Sequence, residues 1–216
     1  MKPQILYQDD ELVVVHKPSG MTVYKEAGSE EFGDCATSLE KTLRSKVFPV
    51  HRLDRGTCGV LIFALQARYA ATLRDSFFNR RVKKSYIAWV WGDAPQSDTI
   101  QTPLKSRAGA EESAVTKFVC LKRFRLSPEQ NLSLVRVEPR TGRFHQIRRH
   151  FKSIGHPIVG DDKYGNTECN EIALKRFNVK RPLLSASEVV FPHPKTHKNI
   201  KVNTRPDADF LRVGGP

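Results

Sequence analysis

The sequence predicts an α+β fold, with a mixed, largely antiparallel central sheet flanked by helices and loops. Three observations carry this expectation. Strand-like and helix-like segments follow one another in mixed order, without the regular strand–helix–strand alternation of a parallel sheet. Residues 85–91 and 132–138 are rich in aromatic and branched side chains and end at Gly92 and Pro139. Residues 60–64, Val-Leu-Ile-Phe-Ala, are apolar throughout, as a buried strand requires.

Taken in order, residues 11–16 read as a strand, and Lys17-Pro18-Ser19-Gly20 as the turn that closes it. Residues 28–35 are polar and acidic and read as a surface loop; residues 38–43 read as a short helix. Ala70, Leu73 and Phe77 recur at helical spacing, which predicts an amphipathic helix over residues 67–79. In the strand of residues 85–91, Trp89 and Trp91 have the opposite parity to Tyr86 and are expected to pack on the other face. Residues 183–191 form the last expected strand, and residues 207–216 read as a loose tail. A length of 216 residues fits a single domain with a substantial core.

Lys and Arg number 36 against 23 Asp and Glu, a net charge of +13. Such an excess points to a polyanionic partner, nucleic acid first and an anionic membrane second. The N-terminal residues lack the shape of a signal peptide, and no apolar run is long enough to span a bilayer. Cys35, Cys58, Cys120 and Cys169 lie far apart without a Cys-x-x-Cys pair, so reduced thiols and a cytoplasmic location are expected. No metal or cofactor motif is apparent, and neither is expected. The spacing of His145, His150 and His156 matches no common zinc pattern, and these histidines are expected to face solvent or RNA.

Two motifs carry chemistry. In His51-Arg52-Leu53-Asp54-Arg55-Gly56-Thr57-Cys58-Gly59, a carboxylate sits among cations, which favour its charged form, the one that a nucleophile or base needs. Taken alone, this segment also reads as a surface turn in which Arg55 pairs with Asp54. In Thr141-Gly142-Arg143-Phe144-His145-Gln146-Ile147-Arg148-Arg149-His150-Phe151-Lys152, helical projection gathers Phe144, Ile147, Phe151 and Ile154 on one arc. His145, Arg148, Arg149 and Lys152 fall mostly opposite. Thr141 is the expected N-cap. Arg143, beside the apolar arc, must find an anion, and Asp54 is the natural candidate. Between the motifs, Arg80, Arg81, Lys83 and Lys84 lead into Tyr86. Charge interleaved with a ring suits a phosphate backbone and an accessible base, although a core tyrosine explains Tyr86 equally well.

With these segments in order, the chain resembles the RluA family of RNA pseudouridine synthases. His51 to Gly59 resembles the H-R-L-D-x-x-T-S-G signature, and residues 81–86 resemble the basic strand that bears the family's tyrosine. Residues 137–148 resemble the T-G-R-x-H-Q-I-R block, and His156-Pro157-Ile158-Val159-Gly160-Asp161 with Tyr164-Gly165 the H-P-I-x-G-D…Y-G segment. The resemblance implies a pseudouridine synthase-like catalytic domain in which Asp54 attacks the target nucleoside. It also implies that Arg143 pairs with Asp54, Tyr86 stacks on the uracil and Arg52 reaches into the RNA. With Arg55, Arg80, Arg81, Lys83, Lys84, Ile147, Arg148 and Arg149, Arg52 completes the expected RNA-contacting set. Gly56, Cys58 and Arg149-His150-Phe151 depart from the family pattern, and the paired arginines are closer to the TruC branch, which modifies a uridine in certain tRNAs. The implied partner is tRNA or ribosomal RNA, with tRNA favoured, and the implied state is a monomer without the RNA-binding module that many relatives carry in front. The competing classes are a non-catalytic RNA-binding or RNA-folding protein, and a DNA-binding regulator; neither requires Asp54 in this setting.

Overall fold

A computed structural model of the chain describes residues 2–25, 33–128 and 130–213. In chain order the elements are β1 (Gln4–Gln8), β2 (Leu12–Lys17), α1 (Cys35–Leu43), β3 (Phe48–Pro49), β4 (Cys58–Ala64) and α2 (Ala67–Phe78). There follow β5 (Lys83–Trp91), β6 (Ser97–Ile100), β7 (Leu104–Lys105), β8 (Glu111–Glu112), β9 (Thr116–Ser127), β10 (Gln130–Pro139), α3 (Gln146–Ser153) and α4 (Thr167–Phe177). The chain closes with β11 (Leu184–Pro192), β12 (Asn199–Asn203) and a 3₁₀ turn over Ala208–Arg212. The elements fall into two compact units, one of residues 1–84 and 186–207, the other of residues 85–185 and 208–216.

In the first unit β1, β2, β4 and β11 are neighbours in sequence of pairing, with β12 on β11 and β3 on β4. The β1–β2, β2–β4, β3–β4 and β11–β12 ladders are antiparallel. All seven residues of β4 are buried, as its unbroken apolar run requires. The core joins Leu12, Val14, Val60, Ile62 and Phe191 to Tyr69, Ala70 and Leu73 of α2. Full burial of a Val, Leu, Ile or Phe side chain such as these contributes about 1.5–3 kcal/mol. Gly59 carries φ +115°, and a β-carbon there would sit 2.2 Å from the Ala186 carbonyl oxygen, so only glycine lets the motif run into β4.

In the second unit β5, β10, β9 and β6 pair antiparallel in that order. Trp89 and Trp91 share a core with Leu132, Val159, Ala173, Leu183, Phe210 and Val213, on the face that their parity predicts. The α+β class with a mixed, largely antiparallel sheet is therefore observed, and an isolated parallel bridge between Thr22 and Asp34 lies outside its strands.

Four local expectations are corrected. Helix α1 starts at Cys35 rather than 38, because the Asp34 side chain caps it by accepting from the Thr37 backbone N–H at 2.8 Å. The remainder of the expected 28–35 loop lies largely outside the described residues. Residues 141–145 are not helical: His145 adopts φ +52°, α3 begins at Gln146, and Thr141 caps nothing. Instead its hydroxyl donates to Gln146 Oε1 at 2.6 Å and accepts from the Val115 N–H at 3.0 Å. The tail is not loose over its described length, since Phe210 and Val213 are buried and the Phe210 carbonyl accepts from Trp89 Nε1 at 3.1 Å. Strands β1, β6, β9 and β12 and helix α4 form where no element was expected.

Candidate active site

The carboxylate motif is built as a loop pinned at several points within the first unit. At its start, His51 Nε2 accepts from the Ile62 backbone N–H at 3.0 Å, and the ring stacks on Phe77 at 4.7 Å. Leu53 is buried. Asp54, half-buried, opens a tight turn in which its carbonyl accepts from the Thr57 N–H at 3.0 Å. Arg55 closes a clip to the neighbouring turn: its carbonyl accepts from the Gly20 N–H at 2.9 Å and its Nε donates to the Gly20 carbonyl at 3.1 Å.

The buried ammonium of Lys17, missed as a site residue, completes the clip. It donates to the carbonyls of Pro18 at 3.1 Å, Met21 at 2.9 Å and Arg55 at 3.2 Å, and the residue has no exposed surface. A buried charge is tolerated only when so paired. Lys17→Met removes the donor from three carbonyls and is expected to cost about 1–3 kcal/mol by urea unfolding, with turnover falling more than RNA affinity. An unchanged unfolding midpoint contradicts this role. Arg52 and Arg55 are exposed, and with Thr22, Val23, Tyr24 and Leu53 they line a small open pocket beside the turn.

Burial, with a contribution from the Lys84 charge, lowers the pKa of His51 to about 3, from an ordinary 6.5. The unfolded chain therefore binds more protons than the native one between these values, so stability rises with pH through that interval. Lowering the pH from about 6.5 toward about 3 is expected to depress the melting temperature of the wild type more steeply than that of His51→Gln. Parallel profiles would show that His51 does not carry the effect.

The expected basic cluster follows α2. Arg80, in a left-handed conformation at φ +57°, Arg81 and Lys83 are exposed; Arg81 pairs with Asp75. Lys84 is half-buried, and burial holds its ammonium below the ordinary lysine range.

In the second unit Tyr86 is 8% exposed on β5, opposite Val137 of β10. Arg143 precedes α3 and meets an anion within its own unit: Nη1 lies 3.4 Å from a Glu112 carboxylate oxygen, and Nε donates to the Ser113 carbonyl at 3.1 Å. The buried Gln146 side chain, also missed, organises this segment. Its Oε1 accepts from Thr141 Oγ1 and from the Arg143 N–H at 3.0 Å, and its Nε2 donates to Val115 O at 3.0 Å and Thr116 Oγ1 at 2.9 Å. Phe144 leaves the expected apolar arc; it stacks on His145 at 3.7 Å beneath the Arg107 guanidinium at 4.5 Å.

Two side chains of α3, Arg148 expected on RNA and His150 expected toward solvent or RNA, are instead buried. Arg148 is buried and forks onto Asp161, Nε and Nη2 each 2.7 Å from one carboxylate oxygen. Asp161 also accepts from the N–H groups of Lys163 at 3.1 Å and Tyr164 at 2.9 Å, which explains why two of the quoted motifs contain this pair. His150 is fully buried between Thr116 Oγ1 at 2.9 Å and the Thr102 carbonyl at 3.0 Å, and burial lowers its pKa. His156 Nδ1 pairs with the Trp91 carbonyl at 2.8 Å. Ile147 is buried, whereas Arg149, partly exposed, donates to the Lys105 carbonyl at 2.9 Å.

Donor atoms of His16, Cys58 and Asp207 lie within 4.8 Å of one another. His16 Nε2 is 2.7 Å from Asp207 Oδ1 and Nδ1 is 2.9 Å from Thr204 Oγ1, so both ring nitrogens serve hydrogen bonds. Asp207 Oδ2 also accepts from the Ser19 N–H at 3.1 Å, which ties residues 204–207 to the turn beside the motif.

The RNA pseudouridylate synthase family model matches residues 11–153. The chain is 36% identical to tRNA pseudouridine synthase C of Pasteurella multocida over 98% of its own length and 94% of the relative's. Against the protein of the same name from Haemophilus ducreyi, identity is 36% over 97% and 93%. Among solved structures, human RNA pseudouridylate synthase domain containing 4 superposes with TM-score 0.77 at 25% identity, covering 97% of this chain and 90% of that one. Human RNA pseudouridylate synthase domain containing 1 gives 0.78 at 26%, covering 95% and 84%.

Proposed function

This chain belongs to the RNA pseudouridylate synthase family, and we propose that it isomerises a uridine of tRNA with Asp54 as the nucleophile. It is an enzyme that acts on uridine in RNA. The net reaction breaks the bond between uracil N1 and the ribose, turns the base, and joins ribose to C5. The C5 hydrogen leaves as a proton and N1 gains one. Nothing is oxidised and no group is imported, so a fixed carboxylate, a site for the freed base and a grip on the RNA meet its demands.

The observation that supports Asp54 most is the pinning of its turn by His51, Lys17 and the Gly20–Arg55 clip. A nucleophile contributes to rate in proportion to how closely its position is fixed before reaction. In this reading Tyr86 stacks on the uracil, Arg143 is the cation that balances the carboxylate, and Arg52 enters the RNA as the uridine leaves its stack. Leaving the stack costs a few kcal/mol, which phosphate contacts by Arg55, Arg80, Arg81, Lys83 and Arg149 offset.

The choice of tRNA rests on the names of relatives 31–36% identical over nearly the whole chain. Bulk tRNA from cells that lack the gene, incubated with the protein, tests it through carbodiimide-adduct primer extension. New stops at a defined uridine are expected. Stops in ribosomal RNA but none in tRNA overturn the substrate assignment.

A further inference from the structure

We propose that Phe78, at the end of α2, is a stacking platform for an unpaired base of the RNA substrate, at a place separate from the target uridine. The proposal rests on the RNA-modifying reading above. Phe78 is 86% exposed, the most exposed large apolar side chain among the described residues. Its neighbour Phe77 turns inward, packs against the first unit's core and stacks on His51 of the carboxylate motif. The same short helix end therefore holds the motif with one ring and offers the other to solvent.

Charge identifies the occupant. From residue 66 to residue 92 the cations are Arg68, Arg74, Arg80, Arg81, Lys83 and Lys84, against Asp75 alone. Arg74 lies one turn before Phe78 on the same helix face, and the left-handed Arg80 follows it by two residues. An exposed ring that served a protein partner would gain little from such a surround. An exposed ring on a segment so rich in cations suits nucleic acid, whose phosphates meet the cations while a base covers the ring. Every base presents a π-face, so the site strengthens grip more than it reads sequence.

Binding of bulk tRNA from cells lacking the gene, and single-turnover pseudouridine formation at saturating tRNA, are measured for wild type, Phe78→Ala, Phe78→Leu and Phe78→Trp. Because the side chain is exposed, all four should share one melting temperature. Phe78→Ala and Phe78→Leu are expected to weaken binding about tenfold or more, and Phe78→Trp to retain it, with saturated rates unchanged. The loss should persist at high salt, where phosphate contacts fade. Wild-type affinity in Phe78→Ala overturns the proposal. So does wild-type affinity in Phe78→Leu, which marks an apolar contact without stacking. If the wild type forms no pseudouridine in tRNA, the tRNA reading falls and this proposal falls with it; an active wild type and an unimpaired Phe78→Ala overturn the stacking site alone.

Discussion

Asp54→Asn lowers single-turnover pseudouridine formation by on the order of 10⁴-fold or more, the scale on which loss of a nucleophile acts. RNA affinity and melting temperature stay near the wild-type values. The substitution keeps the size of the side chain, and the turn is closed through the main-chain carbonyl of Asp54 to Thr57. The hydrogen bonds that join Gly20, Lys17 and Arg55 end on main-chain carbonyls, of Pro18, Gly20, Met21 and Arg55. Rapid quench followed by nucleoside chromatography measures the rate, and filter binding the affinity. A loss of affinity that matches the loss of rate would make Asp54 a structural residue, and a retained rate would remove it from the chemistry.

Arg148→Met carries the largest expected effect on stability, about 3–5 kcal/mol by urea unfolding. It strands the fully buried carboxylate of Asp161 without its guanidinium. For a chain of this length the melting temperature falls by roughly 10 °C. Arg148→Lys restores only part, because an ammonium cannot fork onto both carboxylate oxygens. The folded fraction of Arg148→Met should bind RNA as the wild type does. A stable variant with weakened RNA binding would return Arg148 to the RNA-contacting set.

What the sequence made legible was whatever repeats locally. The unbroken apolar run gave β4, the spacing of Ala70, Leu73 and Phe77 gave α2, and parity put Trp89 and Trp91 together. The motif order gave the family. The misses share a different cause, since each depends on a partner that periodicity does not reveal. Arg148 projects opposite the apolar arc of α3, yet its anion arrives from a segment 13 residues away. Thr141 looks like a cap but serves the side chain of Gln146. Lys17 sits where a turn begins, and only the fold brings carbonyls from residues 18, 21 and 55 to its ammonium. In β9 the run Lys117–Arg125 alternates buried Phe118 and Cys120 with exposed Val119 and Leu121 among cations, which hides its strand pattern. Phe78 falls off the arc of Ala70, Leu73 and Phe77, so periodicity leaves it outside the core without saying what would cover it.

Release of tritium from tRNA carrying [5-³H]uridine, made in cells that lack the gene, tests the central claim most directly. Joining ribose to C5 expels the hydrogen held there, so the account predicts release in step with pseudouridine, levelling off when every target uridine has reacted. Tight binding of that tRNA with no tritium in the solvent would contradict it.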